Sequence, residues 1–298
     1  MNKTTYKTGV LFTIGSFLIW GISPLYWKLL QDIDPLQILG FRIIFSLCFT
    51  GIILLLNKNF IWLAQFRNFK KGSLIVVSAL LLSLNWGTYV WAINNGFTIE
   101  VSLGYYINPL FSIVLGLIFL REKLNSLQWL AFGIAFIGVM TLTILSGKLP
   151  WISLILASCF GIYSLFKKRN KLSSLESLGA ETLAASPIGL ALLFFAPLLS
   201  SQGAGAGISV TPFTWIFIIL AGPVTAIPLF LFGKGAKILP LSTVGFIQFM
   251  GPTLQFILGY FVFKEFFPPR YFIAFGFIWL SLIIYIISLN YKKHYVKA

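Results

Sequence analysis

Two charged side chains lie well inside apolar stretches of the sequence. Arg42 falls within the apolar run 36–56 and Glu181 within the run 177–199. An ionised group deep in hydrocarbon costs upward of about 2.5 kcal/mol, so each needs water, protein or a partner beside it. Extension of the side chain to the membrane surface, or bonding to helix-end carbonyls, is the structural alternative for both, and we expect them to lie too far apart to pair. The functional hypothesis is that Glu181 exchanges protons, because burial favours a neutral carboxyl group.

Polar and aromatic side chains also interrupt the apolar runs, and they are candidates for lining a cavity that binds a small solute. Amide groups in hydrocarbon need hydrogen-bond partners, which a cavity, a solute or a neighbouring helix can supply. Hydrogen bonding between helices is therefore the alternative for each of them. The candidate set is Trp20, Ser23, Asn85, Trp86, Tyr89, Tyr105, Asn108, Tyr163 and Gln248.

Four prolines interrupt long apolar runs. Proline removes one backbone hydrogen bond from a helix, and the freed carbonyl can contact a solute or mark a hinge. We interpret all four as candidate hinges. They are Pro24, Pro109, Pro228 and Pro252.

Familiar catalytic patterns are missing from the sequence. It has no phosphate-binding loop, no metal-ligand spacing and no carboxylates paired at one depth. Cys48 and Cys159 fall inside apolar runs and the single histidine, His294, lies in the C-terminal tail, so neither a disulfide framework nor a metal site is predicted. We therefore expect no catalytic residue, no metal and no cofactor, and any uphill transport would draw on an ion or solute gradient.

Composition places these residues in a membrane. Of the 298 residues 58% are hydrophobic and 10% charged, whereas a soluble domain carries about 25% charged residues. A spanning helix needs about 20 apolar residues. The sequence therefore predicts an all-α integral membrane protein whose solvent is the lipid bilayer. Ten spans are predicted, at 9–30, 36–56, 73–93, 101–120, 126–146, 150–166, 177–199, 212–232, 240–263 and 269–290.

The net charge of +15 indicates orientation rather than nucleic-acid binding. Most cations fall before the first span, in every second connection and after the last span, and Lys167 is counted among them as a residue of the connection after span 6. Cytoplasmic loops are enriched in Lys and Arg. Both termini are therefore predicted to lie in the cytoplasm, with the chain in the cytoplasmic membrane.

The two halves of the chain align with each other. Arg42 aligns with Glu181 at an offset of 139. Residues 1–146 and 147–298 are therefore predicted to be two five-span repeats, which an odd span number places in opposite orientations, a recurrent transporter design. At a single offset of 143, the aligned pairs are Pro109 with Pro252, Gly116 with Gly259 and Glu122 with Glu265.

Several segments closely resemble the RarD family, in the EamA branch of the drug/metabolite transporter superfamily. The resemblance implies ten helices as two inverted five-helix repeats, cytoplasmic termini and a central cavity lined by spans 1, 3, 4, 6, 8 and 9. Members are often labelled chloramphenicol-sensitivity or resistance permeases, a label that does not settle a substrate. The matching segments are 20–24, 85–86, 91–95, 100–110 and 251–253.

These patterns together predict a secondary transporter that exports small amphiphilic drugs or metabolites by alternating access. Its partners would be lipid, a small solute and, if Glu181 acts as supposed, protons. Uptake of a metabolite such as an amino acid remains an alternative, as does a non-transporting membrane enzyme or scaffold. The missing catalytic constellation weakens the enzyme alternative, and the repeat weakens the scaffold alternative. The oligomeric state is not readable from the sequence.

Overall fold

The computed structural model describes residues 3–147, 150–199, 211–264 and 268–291. Within these residues ten helices are long and apolar enough to cross a membrane, which confirms the predicted fold class. Two residues singled out above, Glu265 and His294, lie outside the described residues. The spanning helices are α1 Lys3–Trp27, α2 Pro35–Leu56, α3 Phe69–Asn94, α4 Thr98–Phe119, α5 Ser126–Ser146, α6 Trp151–Arg169, α7 Ser174–Leu199, α8 Pro212–Ile238, α9 in two segments Leu241–Gln248 and Met250–Ile257 followed by a π-helical turn Leu258–Val262, and α10 Arg270–Tyr291.

The sixth helix is longer than the sequence predicted. The predicted span ended at residue 166, but α6 continues to Arg169. Lys167, counted above as a residue of the cytoplasmic connection, is therefore helical, and only 1% of its side-chain surface is exposed. The prediction for Lys167 was wrong because a buried carboxylate on α7 pairs with this lysine, so the helix continues past a charge that would otherwise mark its end.

The main helix contacts follow a pattern that is preserved when each helix is exchanged for the one five places along the chain. Contacts of α1 with α8 and α9 correspond to contacts of α6 with α3 and α4. Likewise, α2 packs on α8 as α7 packs on α3, while α2–α7, α4–α9 and α5–α10 pack as equivalent pairs. This is the packing that two equivalent five-helix units would give.

Backbone geometry repeats at the ends of α4 and α9. Arg121 follows α4 with φ of +52° and Lys264 follows α9 with φ of +58°. A left-handed residue just past a helix is a common terminator, although glycine is its usual occupant. The two residues are separated by the same 143 positions that relate the prolines, so the sequence repeat has a counterpart in the backbone.

The helical hydrogen-bond pattern lapses in only one of the two equivalent proline helices. Helix α4 is continuous through Pro109, whereas the pattern in α9 lapses at Phe249, just before Pro252, although Phe249 keeps helical dihedral angles (φ −59°, ψ −17°). A proline at 252 supplies no N–H to the carbonyl of Gln248, which is where the lapse falls. Pro24 and Pro228 lie inside continuous helices.

Close packing of α2 on α8 brings the charged part of α2 to the centre of the bundle. A Cβ placed on Gly222 would lie 2.3 Å from the backbone carbonyl carbon of Phe45, so only glycine permits this approach. Ser46 Oγ donates a hydrogen bond to the carbonyl of Gly222 (3.2 Å). Small residues at such crossings let helix backbones approach in membranes, and here the crossing sets the position of Arg42.

Candidate functional site

A cavity of about 680 Å³ lies at the centre of the bundle. Seven helices line it: α1, α2, α3 and α4 from the first half and α6, α8 and α9 from the second. Six of these are the helices that the family resemblance implied. The seventh, α2, was not predicted, and it contributes Pro35, Ile38, Leu39 and Arg42 to the lining.

The cavity opens at one end of the bundle. Lys28 and Gln31, in the connection from α1 to α2, line it and are exposed, and Phe263 lines it at the end of α9. At the other end an aromatic cluster fills the space between α1, α6 and α8. Its ring centroids lie 5.1–6.3 Å apart. The cluster consists of Phe17, Trp20, Phe160, Tyr163 and Phe232.

Hydrogen bonds between the halves reinforce the closed end. Glu122, just past α4, accepts from the backbone N–H groups of Leu241 (2.6 Å) and Ser242 (2.8 Å) and from Ser242 Oγ (2.7 Å). A carboxylate at a helix N-terminus is electrostatically favourable, so Glu122 caps α9 in the other half of the molecule. Within the second half, Lys168 Nζ donates to the carbonyls of Ala236 (3.2 Å) and Leu239 at the same end.

Most predicted lining residues do border the cavity, with one exception. Pro24 and Pro252 border it too, whereas Pro109 and Pro228 are not among its lining residues. Tyr163 was expected in the lining but is fully buried in the aromatic cluster at the closed end, where its hydroxyl donates to Glu181 Oε2 (3.1 Å). The eight that line the cavity are Trp20, Ser23, Asn85, Trp86, Tyr89, Tyr105, Asn108 and Gln248.

The amides of the lining differ in whether protein already satisfies them. Asn85 Nδ2 donates to the carbonyl of Leu156 (2.8 Å), and Gln248 Oε1 accepts from Ser112 Oγ (3.3 Å). These two amides join helices, as the structural alternative proposed. The side-chain carbonyl of Asn108 is buried and has no hydrogen-bond partner among the described residues. Such a group costs free energy until something donates to it, so Asn108 is the amide best placed to contact a solute.

Arg42 lies in the cavity wall between two indole rings. Its guanidinium carbon is 4.5 Å from the ring centroid of Trp27 and 4.8 Å from that of Trp86. Its Nε donates to Thr225 Oγ1 on α8 (3.1 Å). Arg42 therefore neither extends to the membrane surface nor bonds helix-end carbonyls; cation–π contacts hold it at the centre.

Glu181 lies in a buried ion pair outside the large cavity. Lys167 Nζ lies 2.9 Å from Glu181 Oε2, and the two side chains are 1% and 2% exposed. Ser177 Oγ donates to the other carboxylate oxygen (2.7 Å), and Tyr163 donates as described above. Glu181 and Arg42 thus have separate partners, and the sequence missed Lys167 because a lysine beside Lys168 and Arg169 looks like an interfacial cluster.

A small void lies between Glu181 and Trp86. It measures about 10 Å³ and is lined by Glu181, Thr182, Ser83 and Trp86, among others. Ser83 Oγ is buried there without a hydrogen-bond partner among the described residues, and the void is close to the minimum size for one water molecule. Trp86 borders both the void and the large cavity, so it touches Arg42 on one side and the surroundings of Glu181 on the other.

Other lining residues were missed because single aromatic or polar residues near span ends carry no distinctive pattern. Thr225 and Gln255 are polar residues within spans, a signal that could have found them. No group of three or more metal-ligating side chains occurs within the ranges described. The missed residues most relevant to chemistry are Trp27, Lys28, Thr225 and Gln255.

A solute-sized cavity at the centre of a ten-span bundle, lined by helices of both halves, defines a polytopic membrane transporter. Residues 7–144 match the EamA-like transporter family. The chain is 42% identical over 292 residues to the uncharacterized transporter YojE of Bacillus subtilis (97% of this chain, 96% of that protein). It belongs to the RarD family of the EamA branch, in the drug/metabolite transporter superfamily, as the resemblance implied.

Two RarD proteins and one solved structure extend this relationship. Protein RarD of Streptomyces exfoliatus is 40% identical over 279 residues, covering 93% of this chain and 88% of that protein. Protein RarD of Escherichia coli strain K12 is 35% identical over 295 residues, covering 98% of each. A crystal structure at 15% identity aligns with a TM-score of 0.71 over 93% of this chain and 96% of that one, which shows the shared fold.

Proposed function

We propose that this multi-pass protein of the bacterial inner membrane is a secondary transporter that exports small amphiphilic solutes by alternating access. The observation that carries the proposal is the central cavity, which helices of both halves line and whose exposed lining residues Lys28 and Gln31 lie at one end. Two equivalent units that exchange conformations would close this end and open the other. A cavity of about 680 Å³ lies in the usual range for a small organic ligand.

The orientation follows from the charges. With both termini in the cytoplasm, the open end with Lys28 and Gln31 faces outward, and Glu122 and the aromatic cluster close the inner side. The structure then represents the outward-open state. The names of the relatives support transport and leave direction open, so uptake is the alternative within this class.

The second part of the proposal is proton coupling through Glu181. Protonation of Glu181 would remove its charge and so weaken the ion pair with Lys167. Trp86 would transmit that change, because it borders the void beside Glu181 and also contacts Arg42 in the cavity. Proton binding and solute binding would thereby bias the same packing arrangement.

Transport into proteoliposomes, with a panel of amphiphilic solutes and with or without an imposed pH gradient, tests both parts. The proposal predicts protein-dependent movement that a pH gradient accelerates in one direction. Movement of no solute under any gradient would favour the enzyme or scaffold alternatives. Movement at the same rate with and without the gradient would contradict proton coupling and leave the transport proposal standing.

A substitution isolates the coupling residue. Glu181→Gln keeps the shape of the side chain and removes its proton exchange, so we expect gradient-driven movement to be lost while the protein remains in the membrane. Glu176→Gln is the matched control, since Glu176 lies on the same helix and bonds Asn59 and Ser173 instead of the buried lysine. Unchanged coupling in Glu181→Gln would end the role proposed for this residue.

A further inference from the structure

The cavity lining carries positive charge and no opposing carboxylate. Arg42 and Lys28 line it, and no Asp or Glu side chain is found among its lining residues in the described ranges. Lys167 and Glu181 neutralise each other's charge outside the cavity. A cation such as Arg42, placed among spanning helices without a carboxylate partner, is costly, so the site as built is complementary to a negative charge.

The contacts of Arg42 leave its terminal nitrogens for a ligand. Nε bonds Thr225, and that is the one hydrogen bond the structure shows for this guanidinium within the described residues. The contacts with Trp27 and Trp86 are cation–π contacts, so the Nη donors have no hydrogen-bond acceptor shown among the described residues and can meet an approaching oxygen. A planar fork of two N–H groups matches both oxygens of a carboxylate.

The rest of the lining selects a monovalent, ring-bearing anion. A single deep cation suits one carboxylate better than a doubly charged phosphate, and the second cation, Lys28, lies at the exposed mouth where it would attract anions rather than bind them. Aromatic side chains supply most of the remaining wall, which favours a flat apolar body. These rings are Phe17, Trp20, Trp27, Trp86, Tyr89, Tyr105, Phe160 and Phe263.

We infer that the solute is a small organic acid with an aromatic or similarly flat apolar body, and that its carboxylate is bound by Arg42. The inference deepens the proposed transport function and rests on it for its biological meaning. It also favours export, because an interior-negative membrane potential drives anions out of the cell.

Binding to the purified full-length chain tests the inference without requiring transport. The probes are benzoate, 3-phenylpropanoate and 3-(indol-3-yl)propanoate, each compared with its primary amide by titration calorimetry at neutral pH. Each pair has nearly the same shape and differs in charge. We expect the acids to bind at least about tenfold more tightly than their amides.

Variants assign the preference to one residue. Arg42→Gln should bring acid and amide to within about twofold of each other, and Arg42→Lys should retain part of the preference because it keeps the charge without the fork. The matched control is Lys234→Gln, which removes a cation that also lies over aromatic rings, Phe12 and Phe230, but outside the cavity. This control should keep the wild-type preference.

Equal affinity of acids and amides for the wild-type chain would overturn the inference, even if every Arg42 variant fails to fold. A preference that survives Arg42→Gln would overturn the role of Arg42. Acids that bind selectively but do not cross proteoliposomes would contradict the transport proposal and leave the carboxylate site standing. Rapid movement of neutral or cationic solutes with no acid preference would support the transport proposal and contradict the carboxylate site.

Discussion

Arg42 and Glu181 align in the sequence repeat, yet their surroundings give them different chemistry. Arg42 faces the cavity between two indole rings, whereas Glu181 is bonded on both oxygens by α6 and α7 residues. One charge therefore remains available to a solute and the other is internally compensated. This difference is the basis for assigning solute binding to the first and coupling to the second.

The unpartnered amide of Asn108 leads to a stability prediction. Asn108→Leu should raise the melting temperature of the solute-free protein in detergent, because it removes a buried carbonyl oxygen whose desolvation costs about 1–3 kcal/mol. The substitution should also weaken the binding of solutes that donate a hydrogen bond. The measurement is thermal unfolding with and without solute.

Asn85→Leu is the matched control for that change. Asn85 already donates to the carbonyl of Leu156. Its loss should lower the free energy of unfolding by about 1 kcal/mol, and the melting temperature should fall with it. If Asn108→Leu destabilises the protein as much as Asn85→Leu, Asn108 has a structural partner and its assignment to solute contact is wrong.

The buried ion pair leads to a second prediction at this scale. Lys167→Met should lower the free energy of unfolding by about 3–5 kcal/mol, because it leaves the Glu181 carboxylate buried without its cation. The double variant Lys167→Met/Glu181→Met should recover most of that loss. Thermal unfolding of both variants in the same detergent measures the difference, and additive losses would show that the two residues do not act as a pair.

Single residues were predictable where their chemistry conflicted with the surrounding sequence. Arg42, Glu181 and Asn108 stood out because polar groups interrupt apolar runs. Lys167 did not, since it follows an apolar run next to other cations and its partner lies on the next helix. Tyr163 was misplaced for a related reason, because helix periodicity does not tell whether a polar face meets a cavity or a buried carboxylate.

At the scale of helices, the two equivalent prolines Pro109 and Pro252 are the candidate hinges. The helical hydrogen-bond pattern of α9 lapses at Phe249, before Pro252, while α4 is continuous through Pro109. If the halves exchange conformations during transport, the inward-open state should have the lapse in α4 and a continuous α9. Hinges in such proteins are a few residues that absorb the backbone change.

Pro252→Ala tests this element directly. The new N–H can bond the carbonyl of Gln248 and restore a continuous helix, so we expect the transport rate to fall several-fold with little change in solute affinity. Pro228→Ala, within the continuous helix α8, should change the rate much less. Equal effects of the two substitutions on the rate would contradict a hinge at Pro252. Rates are measured in proteoliposomes and affinities by calorimetry.

Helix number and most boundaries were predictable because spanning length and apolar composition constrain them strongly. The lapse in α9 and the participation of α2 in the cavity were not. A proline predicts a weakened helix without telling in which conformation it breaks. The position of α2 depends on Gly222, 180 residues from Arg42 along the chain, and such long-range packing leaves no local periodic signal.

At the scale of the whole molecule, alternating access is the claim on which the functional account depends. The repeat alignment and the symmetric helix contacts are consistent with two exchangeable halves, and the cavity provides the space that would change sides. The division of the chain at residues 146 and 147 and the cytoplasmic position of both termini stay predictions. Both were inferred from sequence patterns that the helix packing alone does not test.

Chemical labelling of one cavity residue from each side of the membrane tests that claim most directly. A variant with Cys48→Ser, Cys159→Ser and Ser23→Cys places a single thiol in the cavity wall. A membrane-impermeant thiol reagent is then applied to right-side-out and to inside-out vesicles. Alternating access predicts labelling from both sides, with a bound solute slowing each reaction. Labelling from one side only, at a rate the solute does not change, would contradict the account.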